Sequence, residues 1–223
     1  GRRALQTQNF TTATDSYNIA VGFEAGHDIT TGIRNTLIGG LAGVELTTGG
    51  SNVALGYEAL KTEDAHGLNT AIGTQALFSL NAGADAYNTA VGFQAGSGVS
   101  TGVQNTFVGG LAGDALTDAD YNVAFGYAAL TSDTLGSRSV AIGNNALNAQ
   151  NFTTATNTYN TAVGNNAGEA VTTGTQNTFV GALAGDATTT TGDNVAIGYF
   201  ALSAASGGTN VAVGSQVLAN CTG

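Results

Sequence analysis

The chain has 223 residues, 15 Asp and Glu against 5 Lys and Arg, no Pro, Met or Trp, and a formal net charge of −10. Its basic residues, Arg2, Arg3, Arg34, Lys61 and Arg138, are scattered, which excludes the clustered phosphate contacts expected of a nucleic-acid binder. No apolar run approaches the ~18 residues of a membrane-spanning helix, so a membrane span is not expected either.

A single phrase recurs along the chain: Asn, a β-branched residue, a small residue, a large aliphatic residue, Gly, two variable residues, Ala, then Gly or Leu. Its anchor glycines are Gly22, Gly39, Gly56, Gly73, Gly92, Gly109, Gly126, Gly143, Gly164, Gly181, Gly198 and Gly214. The period is mostly 17 residues, with longer gaps of 19 before Gly92 and 21 before Gly164. Those gaps divide the array into groups spanning residues 1–77, 78–147 and 148–223. First units end in Ala-Gly, as at Ala25-Gly26. Second units carry Leu-Ala-Gly, as at Leu41-Ala42-Gly43. Third units carry Gly-Tyr and end in Ala-Leu, as at Gly56-Tyr57 and Ala59-Leu60. Gly1 stands where an earlier anchor would, and Asn9-Phe10-Thr11 repeats at Asn151-Phe152-Thr153. The array is therefore expected to be one continuous stretch of a longer fibre.

Fixed periodicity of this kind marks a repeat architecture. Nothing has helical period, and frequent glycine costs a helix about 1 kcal/mol each. The expected fold is all-β: a β-solenoid, or β-roll, of about twelve 17-residue coils. A wider coil of four units would also make equivalent units match between groups. Number the positions of a unit from its Asn. Positions 2 and 4 alternate to one face of a strand, and their size makes that face the expected interior. Position 3, usually Ala, is then expected outside. Position 8, Ala everywhere except Val217, suggests a close inner contact. Stacked Asn side chains at position 1 are expected to form an amide ladder, inside or at a corner.

Phrases such as Asn88-Thr89-Ala90-Val91-Gly92 and Ser139-Val140-Ala141-Ile142-Gly143 resemble the head repeats of trimeric autotransporter adhesins. Asn105-Thr106-Phe107-Val108-Gly109-Gly110-Leu111-Ala112-Gly113 also resembles repeats of phage tail fibres. The resemblance covers nearly the whole chain, although adhesin repeats are shorter. It implies a left-handed β-roll, often with three chains side by side, in an extracellular fibre on a cell surface or virion, and it carries no catalytic residues.

The expected function is thus non-enzymatic: a rigid structural shaft or head used for surface attachment, whose partner is itself, as a homotrimer or a head-to-tail filament. The alternative is an adhesin head that binds a glycan or receptor through the long returns at residues 78–87 and 148–159. A third reading is an ice-binding solenoid, although the adjacent Thr30-Thr31, Thr47-Thr48 and Thr172-Thr173 should diverge rather than align.

Position 3 is large only at Leu37, Phe107 and Phe179, which makes these the candidate chain–chain contact line. Tucking under the return is the competing role. Positions 6 and 7 add Phe23, Tyr57, Phe93, Tyr127, Tyr199 and Phe200. His27 and His66 read as solvated loop residues. The pairs Glu63-Asp64 and Asp118 with Asp120 fall in returns without a recurring cleft. No cofactor is expected. Ca²⁺ held by Asp114, Asp118, Asp120, Asp186 and Asp193 is the alternative to ordinary loop acids. Asn9 and Asn151 head Asn-x-Thr sequons, as does Asn220, and are candidate glycosylation sites in a glycosylating host. Cys221 reads as a free thiol.

Overall fold

The computed structural model describes residues 1–204 and 207–219, and within them the chain is a β-solenoid without a helix. Cys221 and the Asn220 sequon lie outside the described residues. In chain order the strands are β1 (Ile19–Val21), β2 (Thr36–Ile38), β3 (Val53–Leu55), β4 (Thr70–Ile72), β5 (Thr89–Val91), β6 (Thr106–Val108), β7 (Val123–Phe125), β8 (Gly136–Ser137), β9 (Val140–Ile142), β10 (Thr156–Asn157), β11 (Thr161–Val163), β12 (Thr178–Val180), β13 (Val195–Ile197) and β14 (Val211–Val213). Twelve of them form one parallel sheet in sequence order, and β8 pairs with β10 in a small second ladder. Each unit pairs with the next in strict register, as Phe107 does with Ala90 on one side and Ala124 on the other. One coil therefore equals one unit of about 17 residues, which rules out the four-unit coil.

The asparagine ladder is present. The Asn105 Nδ2 donates to the Ala119 carbonyl at 2.8 Å, which ties the strand to the return of its own coil. Its Oδ1 accepts the backbone N–H of Asn122 in the next coil at 2.9 Å. The same two bonds recur at Asn35, Asn88 and Asn177. Both are buried, so each amide satisfies backbone groups that have no access to water.

That ladder fixes the parity of the strand. With position 1 inside, alternation sends position 3 inside and positions 2 and 4 outside. The expected interior face is thus reversed. Ala54, Ala71, Ala90, Ala124 and Ala141 at position 3 are fully buried, whereas Val21, Leu55, Phe125 and Ile197 at position 4 are exposed. The physical reason is space. The coil is short, and its interior must hold the amide, the position 3 side chain, the alanine at position 8 and residues 9 and 12. Small residues fill positions 3 and 8 in most coils, and the larger aliphatic residues sit at positions 9 and 12.

At position 3 a large residue enters only where glycine at position 9 makes room. Phe107 is fully buried, and its ring lies in space left by Gly96 and Gly113. A Cβ on Gly113 would stand 2.5 Å from Phe107 Cε1, and one on Gly96 would stand 2.6 Å from Cδ2. Phe179 sits in the same way between Gly168 and Gly185. In third units the exchange runs the other way: Ala124 occupies position 3 and Leu130 fills position 9, both fully buried.

The anchor glycine has its own constraint. Gly109 has φ +133, and a Cβ there would lie 2.4 Å from the Gly126 carbonyl oxygen in the next coil. No side chain can replace it without opening the stack. Non-glycine residues also take positive φ in each coil, among them Tyr121, Ala128 and Leu130 in the seventh unit. Such conformations cost of order 1 kcal/mol each and persist only where the surroundings enforce them. Here the enforcement comes from ladder bonds on both sides, such as Ala128 N–H to the Gly110 carbonyl at 3.0 Å and Leu130 N–H to the Ala146 carbonyl at 3.0 Å.

One junction departs from the pattern. Ser139 replaces the asparagine of its unit, and its Oγ lies 2.6 Å from Thr158 Oγ1. Gln150, buried in the long return, donates to Ser139 Oγ and to Asp133, and accepts from Asn160 Nδ2. These residues bridge the break and anchor the return at residues 148–159 from within.

Candidate interaction surface

The reversed parity places the large apolar residues of position 4 on the surface. Val21, Ile38, Leu55, Phe125, Ile142, Val180, Ile197 and Val213 are exposed, and Ile72, Val91, Val108 and Val163 are half-buried. All twelve occupy position 4 of consecutive strands. Beside them runs position 2, occupied by Thr, Val or Ile throughout, with Ile19 and Val211 exposed at the two ends of the sheet. Neither row contains a charged residue. Tyr17, Tyr87, Tyr121 and Tyr159, each immediately before the Asn of its unit, are exposed along one flank. The Arg138 guanidinium lies over the Tyr121 ring, 4.5 Å from its centroid.

The sheet spans eleven steps of about 4.8 Å, or about 53 Å, and three residues of strand are about 10 Å wide. The outward face of the sheet thus covers about 500 Å², apolar throughout position 4 and carrying threonine at six of the twelve position 2 sites.

Leu37, Phe107 and Phe179, the expected contact line, are fully buried and belong to the interior. They pack the core, and no partner can reach them. The residues that sequence reasoning missed as a surface are those of position 4. The signal was available in the pairing of large position 3 residues with glycine at position 9, which marks position 3 as a packed site.

The polar candidates divide. Glu63, expected in a solvated return, is fully buried, with Oε1 accepting the His66 N–H at 3.1 Å. Burial pushes its carboxyl above the ordinary range. His66 is half-buried, and its Nδ1 is buried without a hydrogen-bond partner, 3.7 Å from Glu63 Oε1. With Asp64 these two form the one place among the described residues where three metal-ligating side chains converge. His27 is half-buried, 2.6 Å from Asp28 Oδ1.

The candidate calcium acids do not converge with one another among the described residues. Asp118 accepts from Thr101 Oγ1, and Asp120 accepts the Val103 N–H, both at 2.8 Å. Asp114 accepts from Thr131, and burial raises its carboxyl from the ordinary value. On the opposite sign, hydrogen bonds from Gln75 and then Lys61 hold Glu58 below the ordinary range. Thr30, Thr47 and Thr172 each donate to a carbonyl of the next coil, so the first member of each threonine pair is committed within the solenoid. Asn9 and Asn151 are both exposed.

No helix of the described residues is long and apolar enough to cross a membrane. No protein-family model, curated protein or solved structure matches the chain. The fold itself defines the class: a β-solenoid repeat protein.

Proposed function

We propose that this chain is a non-enzymatic structural subunit of an extracellular fibre or filament, a rigid β-solenoid rod used for surface attachment at a cell surface or virion. It assembles with other copies of itself through the outward face of its long sheet. The observation that carries this reading is the row of large aliphatic residues at position 4, in register on every strand of the sheet and facing away from the core. Exposed aliphatic surface of that extent is costly in water and is gained back when covered. A stable contact takes about 800 Å² from each partner, which is more than the sheet face alone supplies. The tyrosines on its flank extend it.

Light scattering on the purified chain should return a mass of several chains. Leu55→Lys with Phe125→Lys should reduce it to one chain while the circular dichroism of the solenoid is unchanged. A single-chain mass for the unaltered protein, or an unaltered mass for the double variant, would contradict assembly through this face.

A further inference from the structure

Beyond the strand face, a second exposed row runs along position 6, just after the anchor glycines. Its occupants in the first seven units are Phe23, Gly40, Tyr57, Thr74, Phe93, Gly110 and Tyr127. An aromatic ring stands on every second coil, with a small residue between. Because each coil advances about 4.8 Å, the rings repeat at about 9.6 Å. Phe23, Tyr57, Phe93 and Tyr127 are exposed by 48%, 51%, 55% and 57%. Each of these residues is thus about half covered by the solenoid and half open to solvent.

The glycines show how they lie. A Cβ on Gly40 would stand 3.5 Å from Tyr57 Cδ2 and 3.9 Å from Cε2, and Gly110 stands in the same relation to Tyr127. Tyr57 and Tyr127 therefore each lean along the rod across the glycine of the preceding coil. With Phe23 and Phe93 on the alternate coils they make a row of spaced rings. It carries no charged residue.

We propose that this row is a binding platform for an uncharged, extended β-1,4-linked glucan. The flat faces of a sugar ring present C–H bonds that carry slight positive charge, which suits the negative face of an aromatic ring. A β-1,4-linked glucan is a ribbon that turns over with each sugar, so equivalent faces recur every disaccharide. The two-coil repeat of the rings matches that disaccharide repeat. Four rings on every second sugar meet the first, third, fifth and seventh sugars, so a hexasaccharide covers three of the four rings. The row then breaks, since Asn165 stands where the third group would carry its Phe, and only Tyr199 follows. Binding therefore belongs to the part of the rod between Phe23 and Tyr127.

The row lies two residues beyond the strand face, across the anchor glycine, and measuring mass and binding together tells the two readings apart. The test is calorimetry with cellohexaose as probe and maltohexaose as the helical α-linked control, with light scattering on the same samples. The unaltered chain should bind cellohexaose and not maltohexaose. Tyr57→Ala with Tyr127→Ala should lose about tenfold or more in affinity, and Tyr57→Phe with Tyr127→Phe should keep it, with mass unchanged in both. No binding of cellohexaose by the unaltered chain, or equal binding by the alanine variant, overturns the proposal. Loss of binding together with loss of multi-chain mass in the alanine variant also overturns it, by assigning the row to a contact between copies. A single-chain mass with ring-dependent binding leaves the platform standing and removes the assembly.

Discussion

Phe107 and Phe125 lie on neighbouring strands, one residue apart in register, and meet opposite environments. Phe107 is fully buried in β6, held in a slot left by two glycines; Phe125 in β7 is 54% exposed. The same side chain is a core residue on one face of the sheet and surface on the other. The difference shows that hydrophobicity does not decide which face of this strand is inside. Volume and hydrogen bonding decide it, because the buried amides fix which face is inside and the position 3 site holds only a methyl group unless glycines make room.

The largest expected effect tests that contrast directly. Phe107→Ala should destabilise the rod by about 3–5 kcal/mol, since it empties a packed site. Phe125→Ala should cost no more than about 1 kcal/mol, as expected of a surface change. Chemical denaturation of the two variants measures both, and equal losses would contradict the assignment of faces. The contrast sharpens with compensation. Gly113→Leu alone should cost about 1–3 kcal/mol through overpacking. Combined with Phe107→Ala, it recreates the arrangement of Ala124 with Leu130, and the double variant should be more stable than the sum of the single losses predicts.

Asn105→Ala comes next. It removes the donor to Ala119 and the acceptor for Asn122, and leaves both backbone groups buried. A loss of about 2–4 kcal/mol is expected from two orphaned groups, with amide exchange accelerated at Asn122. Ser139→Asn is not equivalent to restoring the ladder, because Thr158 and Gln150 already fill that space.

The smallest effect concerns Glu63. Burial raises its carboxyl above the ordinary 4.5, so the folded state holds a proton that the unfolded chain has already released. Stability should therefore fall as pH rises through the window from 4.5 to the raised value, and the loss should be complete above it. Glu63→Gln places at position 12 the residue type that Gln150 supplies in the eighth unit. It should flatten this dependence and stabilise the rod slightly at neutral pH. A thermal melt series across that window checks the slope; a steeper fall in the variant would contradict it.

Much of this was legible in the residues themselves. The 17-residue spacing of Gly22 through Gly73 and the recurrence of Asn foretold stacked coils and an amide ladder. The face of the strand was misread because Val, Ile and Leu at position 4 look like core by transfer free energy. The correction was also written in the chain: Asn at position 1 and Ala at position 3 share a parity, and Leu37, Phe107 and Phe179 occur only where Gly replaces Leu at position 9. The Ser139 junction was not legible, since its partners Gln150 and Thr158 come from a return whose path the repeat does not specify. Burial of Glu63 was hidden for a related reason. Position 12 holds Ile29, Leu46 or Leu80 in other units, and its buried place shows only when these are aligned with Glu63 and Asp133, the acids that stand there in two third units.

The most direct measurement of the central idea, that the outward row is covered by another copy, places a probe on it. In a Cys221→Ser background, Phe125→Cys and, as a control in a return, Asp118→Cys would each carry a spin label, read for accessibility to a water-soluble relaxation agent. The label at 125 should be shielded in the concentrated protein and become accessible on dilution to single chains, while the label at 118 stays accessible throughout. Equal accessibility of both labels in a multi-chain sample would contradict assembly through the sheet face.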